Sequence, residues 1–249
     1  MMNPNCYKGL RKNIELKGRT GDYLGRIIFL SEKDINRIDQ LEIKTNIPEI
    51  RASKEKVVSR FRKGNEILGF EINGDQILVG SVAWRFAFFD LHKPEDLPQN
   101  FKEYSTPGTF PPANFNAMFH YGINVDPQMR KEGLGGIICK NLFDALFKQG
   151  RINGCDYFVS DPRLHTYNGS LDHPDIEKFP QDPKMKEAVD MAIKGKRQFT
   201  LKDALRDPAF KIYYRLAGKD VEFIKLMSST WFPQDRPSGG HGIYVCKKL

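Results

Sequence analysis

Twelve residues in the middle of the chain, VDPQMRKEGLGG (Val125 to Gly136), constrain the fold more than any other stretch. A β-rich run, NAMFHYGINV, precedes them. An apolar run follows, in which Ile137, Ile138, Leu142, Ala145 and Leu146 mark a helix buried on one side and Gly150 closes it. A second β-rich run, CDYFVS (Cys155 to Ser160), comes next. Strand, turn, helix and strand in so short a span make a crossover, and a crossover joins parallel strands.

The flanking pattern predicts a mixed sheet around that pair. FEINGDQILVGSVAWRFAFF (Phe70 to Phe89) reads as a hairpin about Asn73-Gly74-Asp75. Residues 1–25 read as a polar, basic leader, and RIIFL after it as a strand. Ser31 or Asp34 caps a helix through DINRIDQLEI, and a second helix covers 54–62. The Pro-rich stretch KPEDLPQNFKEYSTPGTFPPANF is a surface excursion. Residues 162–206 form an insertion with two capped helical pieces, opened by Asp182-Pro183 and by Thr200 with Asp203. Asp207-Pro208 starts a helix whose Phe210, Tyr213, Leu216 and Ala217 point one way, and VEFIKLM and HGIYVCKKL end the chain as strands. The whole is one α/β domain over 26–249.

With 249 residues, 40% of them hydrophobic, the chain is long enough for one well-buried core. No stretch reaches the roughly 18 to 20 apolar residues of a membrane span, and MMNPNCYKGLRKN lacks the apolar core of a secretion signal. A soluble cytoplasmic protein without a membrane partner is expected. Cys6, Cys139, Cys155 and Cys246 have no metal or disulfide spacing, so they read as reduced thiols and no metal site is expected. The formal charge of +8 suits an acidic partner without naming one. Its densest run, RASKEKVVSRFRK (Arg51 to Lys63), carries Val57, Val58 and Phe61 at helical spacing, which puts the basic residues on a solvated helix face. No interleaved aromatic residues accompany them, which argues against nucleic acid.

The glycines of the turn have a physical use. The first amides of a helix lack intrahelical acceptors, and the helix dipole adds positive potential there, so an anion satisfies both. Gly133, Gly135 and Gly136 remove side chains that would hold a diphosphate away, and Arg130 can add a charge-assisted contact. A nucleoside-triphosphate loop needs Gly-Lys-Ser/Thr, whereas Gly135 is followed here by Gly136-Ile137. A dinucleotide fingerprint needs its first glycine directly after the strand, and Gly133 comes eight residues after Val125.

On these residues the chain resembles the GNAT superfamily of acyl-CoA-dependent N-acyltransferases. The shared pattern is a valine-ended strand, a proline and R-x-x-G-x-G/A opening a helix, and Val125-Asp126-Pro127 with Arg130, Gly133 and Gly135 matches it. The order of elements over residues 26–249, apart from the insertion, is similar too. The resemblance implies a mixed central sheet with a splayed parallel pair, flanked by helices. It implies that Arg130, Lys131, Gly133, Leu134, Gly135 and Gly136 receive the diphosphate of acetyl-CoA as cosubstrate. It implies further that the backbone of Ile123, Asn124 and Val125 pairs with the pantetheine arm. The reaction implied is acetyl transfer to a small-molecule amine by direct attack in a ternary complex.

An amine attacks a thioester only when neutral, and a free alkylamine has a pKa of ~10, so a proton acceptor is required. In the family a tyrosine four residues before a glycine often serves the departing thiolate, and Tyr214 with Gly218 has that spacing. For the base, His120, Asp161 and a water relay all stay open, while His165 and His173 reach the site only if the insertion folds over it. The insertion reads either as a lid on the acceptor pocket or as a solvated excursion. Two other functions stand beside transfer: a CoA-binding sensor or scaffold, and a nucleic-acid module using the Arg51 to Lys63 face. The acceptor, the acyl length and any homodimer interface are not readable.

Overall fold

The computed structural model describes residues 13–46, 48, 50–72, 74, 77–105, 114–169 and 180–249. Expectations placed on Cys6, Asn73, Asp75 and His173 lie outside these residues. Eight strands form one sheet: β1 (Ile14–Lys17), β2 (Asp22–Leu30), β3 (Glu66–Ile72), β4 (Ile77–Ala87), β5 (Ala117–Val125), β6 (Tyr157–Ser160), β7 (Glu222–Leu226) and β8 (Ile243–Lys248). Their spatial order is β1-β2-β3-β4-β5-β6-β8-β7. Among the described residues only β5 and β6 pair in parallel, as the crossover requires.

The helices are α1 (Ile35–Thr45), α2 (Lys54–Arg62), α3 (Phe101–Ser105), α4 (Pro127–Lys131), α5 (Gly135–Ile152), α6 (Pro183–Ile193), α7 (Leu201–Ala204) and α8 (Pro208–Leu216). The crossover helix α5 buries Ile138, Leu142, Phe143, Ala145, Leu146 and Phe147 in the main core. Each such side chain contributes about 1.5–3 kcal/mol of transfer free energy. Residues Ile38 and Leu41 of α1 and Val57 of α2 join Leu30, Ile67 and Leu78 of the sheet in a second core. A third cluster gathers Tyr104, Phe119, Trp231 and Tyr244. None of the helices among the described residues is long and apolar enough to cross a membrane.

Four expectations need correction. The sheet begins inside the segment that reads as a leader, with Ile14 to Lys17 paired against Gly25 to Asp22. A four-residue strand with one fully buried side chain, Leu16, leaves little alternation to read. Gly150 does not end α5, which continues to Ile152. A Cβ there would lie 2.4 Å from Leu249 and 2.7 Å from the Met118 sulfur, so glycine serves close packing on β5. Ile137 is 45% exposed rather than core-facing. Arg60, counted among the solvated basic residues, is buried at 8% exposure.

The insertion is built into the protein. Met185, Ala188 and Val189 of α6, with Phe199 and Ala204, belong to the main core. Asp207, which caps α8 at the Phe210 amide (3.0 Å), also accepts from the Thr166 amide (2.8 Å) and hydroxyl (2.9 Å). Cys155 and Cys246 are buried free thiols, both pushed up to about 12 by burial, and Cys139 packs at the edge of the main core.

Candidate active site

The glycine turn is fixed at both ends. Asp126 caps α4 by accepting from the Gln128 amide (2.8 Å) and takes the Lys44 ammonium at 2.8 Å. Gly133 reverses the chain at φ 79°, a conformation that side-chain-bearing residues rarely adopt. Leu134 then drops a fully buried side chain into the core as α5 begins. The first α5 hydrogen bond runs from the Ile138 amide to the Leu134 carbonyl (2.9 Å). Among the described residues no acceptor meets the amides of Gly135, Gly136 and Ile137. Leu134 supplies no side-chain cap, so the start of α5 is open to an anion.

Around it lies positive charge. The Arg130 stem crosses Gly135, where an added Cβ would come within 2.9 Å of Arg130 Cγ. The β1–β2 turn brings a further cation that the sequence did not reveal. Glu132 accepts from the Thr20 amide (2.9 Å) and hydroxyl (2.8 Å), and the Arg19 amide donates to the Glu132 carbonyl (3.3 Å). The Arg19 guanidinium therefore reaches Gly133, whose missing Cβ would sit 3.7 Å from Arg19 Nε. At Gly136 an added Cβ meets nothing within 4 Å.

The free edge of β5 leads away from this turn. Pairing with β6 runs from Ala117–Tyr157 to His120–Ser160 and stops, leaving Tyr121 to Val125 without a β6 partner. Tyr104 of α3 stands at the point of divergence, its hydroxyl 2.8 Å from the His120 carbonyl and 3.1 Å from that of Val159. On its other side β5 meets β4 with a bulge: Ala83 faces Gly122 and Trp84 faces His120, so Tyr121 is the extra residue. The free edge is roughly 13 Å long.

A cavity of about 270 Å³ occupies the divergence. Its walls come from α1 and α2 on one side of the sheet, the β5 edge including Gly122, Ile123 and Asn124, the end of β6 with Ser160 and Asp161, and α8 on the other side. The cavity thus passes through the gap between the parallel strands. A Cβ on Gly122 would meet nothing within 4 Å, so the glycine keeps the wall open.

Of the expected base candidates, both line the cavity. His120 is buried, its Nδ1 2.9 Å from the Ser160 hydroxyl, its ring set among Phe143, Phe158 and Tyr213. Burial holds its pKa down to about 3, so the ring is neutral at physiological pH. Asp161 is also buried, and loss of solvation raises its pKa well above the carboxylate range despite Arg163 and Arg60 nearby. His165 lines the cavity as well.

Tyr214 is not placed as expected. Its hydroxyl donates to the Lys219 carbonyl at 2.6 Å, and it does not line the cavity. Tyr213 does, with its hydroxyl buried near Ser160. The turn of phase that gives Tyr213 to the core also carries it to the gap between strands. The sequence reading missed Arg60 and Tyr121 altogether. Arg60 shares the helical phase of Val57 and Phe61, a signal that was present; the bulge that exposes Tyr121 to the cavity has none. Ile123 and Asn124 line the cavity, while Asn124 also donates to Glu42 at 2.7 Å.

This eight-stranded sheet, split at one parallel pair above a glycine turn, has the fold of the GNAT superfamily. The GphF GNAT-like decarboxylase in complex with isobutyryl-CoA superposes with a TM-score of 0.60 at 20% identity, over 90% of this chain and 98% of that one. The loading GNATL domain of CurA from Lyngbya majuscula gives 0.59 at 16% identity, over 90% and 97%. The ribosomal-protein-S18-alanine N-acetyltransferase from Escherichia coli gives 0.50 at 10%, over 90% and 94%. No family model matches the chain, and no curated protein matches it in sequence.

Proposed function

We propose that the protein is an acyl-CoA-dependent N-acyltransferase, with acetyl as the acyl group and a small-molecule amine as acceptor. The observation that carries this reading is the continuity of the site: open amides and cations at the start of α5, a free β5 edge, and a cavity that crosses the sheet. Gly136 and Gly122 leave space where a side chain would obstruct a ligand. The turn from Arg130 to Gly136, with Arg19, would hold the diphosphate, and the edge from Tyr121 to Val125 would pair with the amides of the pantetheine arm.

In this reading the amine enters past α1 and α2 and attacks the thioester carbonyl beside Gly122. The C–N bond forms, the C–S bond breaks, and one proton passes from nitrogen to sulfur. His120 at a pKa of about 3 cannot hold that proton at neutral pH. The His120–Ser160 pair therefore orients a water relay instead of storing charge. Tyr213, rather than Tyr214, donates a hydrogen bond to the departing sulfur. Metal and covalent enzyme intermediates have no part in the scheme. Calorimetric titration with acetyl-CoA, followed by an amine screen that reads thiol release, tests it. Saturable binding with amine-dependent release supports transfer; binding without release at any amine leaves the sensor reading in its place.

One observation favours a second reaction on the same thioester. Burial raises the pKa of Asp161, which lines the acyl gap, and a carboxyl that holds its proton more tightly suits a proton source for a carbanion. Loss of CO2 from a carboxylated acyl-CoA would produce such a carbanion, as the name of the GphF neighbour would have it. Conversion of malonyl-CoA to acetyl-CoA without an acceptor tests this directly.

A further inference from the structure

Arg60 is a buried cation whose neighbours do not neutralise it. It lies on α2 at 8% exposure and lines the cavity. Its guanidinium donates from one terminal nitrogen to the Ser105 hydroxyl (3.0 Å) and lies 4.9 Å from the centre of the Tyr121 ring. Among the described residues its Nε is buried without a hydrogen-bond partner, and so is the hydroxyl of Tyr121. Among the described residues no carboxylate forms an ion pair with it.

The acidic groups of the cavity are otherwise engaged. Glu42 accepts from Asn124 (2.7 Å), from Asn46 (3.0 Å) and from the Ala52 amide (3.3 Å). Asp161 forms no ion pair with Arg60 among the described residues, and burial disfavours its charged form. A desolvated guanidinium with an idle donor is costly unless an anion completes it, and its planar fork suits the two oxygens of a carboxylate.

We infer that Arg60 is the carboxylate-binding residue of the cavity, so that the small molecule handled there carries a carboxylate, either on the amine acceptor or on the acyl group. The inference rests on the acyl-CoA reading of the site and narrows its substrate class. It draws on a residue well removed in sequence from the glycine turn, so it fails separately from that reading.

The test uses the full chain, with Arg60→Met and Arg60→Gln as variants. Gln keeps a donor for Ser105 and removes the charge, which preserves a folded comparison if Met does not; melting curves establish folding. For the acceptor arm, acetyl transfer is measured for alanine against ethylamine, leucine against isoamylamine and phenylalanine against phenethylamine. For the donor arm, calorimetry compares malonyl-CoA with acetyl-CoA. The expected result in one arm is a preference for the carboxylated partner of about a hundredfold that collapses in both variants, while acetyl-CoA affinity stays at the parent value. Preference in the acceptor arm assigns the carboxylate to the amine, and in the donor arm to the acyl group. Acetyl-CoA binding with no Arg60-dependent preference in either arm overturns the inference and leaves the acyl-CoA reading standing. No binding of either thioester overturns both.

Discussion

Glutamate at position 136 separates ligand binding from folding, because the two respond in opposite directions. Gly136 is the second residue of α5, and a Cβ there meets no atom within 4 Å, so the substitution costs no packing. Replacing a helical glycine stabilises the free protein by up to about 1 kcal/mol, and a carboxylate in the first turn adds about 0.3–1 kcal/mol through the dipole. For a chain of this size that raises Tm by roughly 1–8 °C. The same carboxylate, about 6 Å from a bound phosphate, repels it by about 0.7 kcal/mol at the dielectric of water and about 3 kcal/mol at that of a protein surface. Kd for acetyl-CoA should therefore rise by a factor between about 3 and 150. Calorimetric titration gives the affinity and a ligand-free melting curve gives the stability. Gly136→Ala serves as the control, gaining the helix term without the repulsion. Position 135 is a poorer choice, since a side chain there displaces Arg130. A more stable Gly136→Glu protein that binds acetyl-CoA with the parent affinity would refute the cradle at the start of α5.

Other perturbations report on separate parts of the site. Tyr213→Phe should lower kcat by about 10- to 100-fold with little change in KM, whereas Tyr214→Phe should leave kcat within about twofold, as steady-state rates with any competent amine will decide. Arg19→Ala should weaken acetyl-CoA binding several-fold and flatten its dependence on salt, without moving the ligand-free Tm, measured by titration at two ionic strengths. Glu66 is partly buried at the start of β3, and lost solvation raises its carboxyl to about 7. Its folded pKa lies above its unfolded value of about 4.5, so the folded state holds the proton more tightly and stability falls as pH rises from about 4.5 through 7. Glu66→Gln should abolish that loss, worth up to about 3 kcal/mol above pH 7, in urea unfolding at pH 5 and pH 8. An identical pH slope in the two proteins would remove Glu66 as its source.

Much of this architecture was legible because it depends on local rules. The crossover from β5 through α5 to β6 follows from a run of strand, turn and helix signals, and the cap residues Asp182, Thr200 and Asp207 all sit where their side chains suggest. The first strand and the opening residues of the second escaped because β1 is four residues long and its evidence lies in pairing with β2. Arg19 escaped for a related reason. Nothing in its neighbours links it to a turn more than a hundred residues away, and the link runs through Thr20 and Glu132. At Tyr214 the spacing rule and the helical phase point different ways, and it is the phase that carries Tyr213 to the cavity. The bulge at Tyr121 has no signal in a single strand, since it exists only as a mismatch between β4 and β5.

The gap between β5 and β6 has a physical cause in residues outside either strand. Tyr104 reaches both strands from α3 and offers one hydroxyl to two carbonyls at the last paired position. It is itself held by stacking on Phe119 and by packing against Trp231 and Tyr244, and its carbonyl accepts from Arg85 at 2.6 Å. One step further along β5, the bulge turns Tyr121 towards Arg60 and leaves the strand edge without partners. A backbone edge inside a protein carries donors and acceptors that must be met, and a ligand with amides of its own is suited to meet them, as proposed above. The wedge below, the bulge beside and the idle edge above thus make one device. It holds two parallel strands apart and leaves, across the sheet, a passage lined by Arg60, Asp161 and Tyr213.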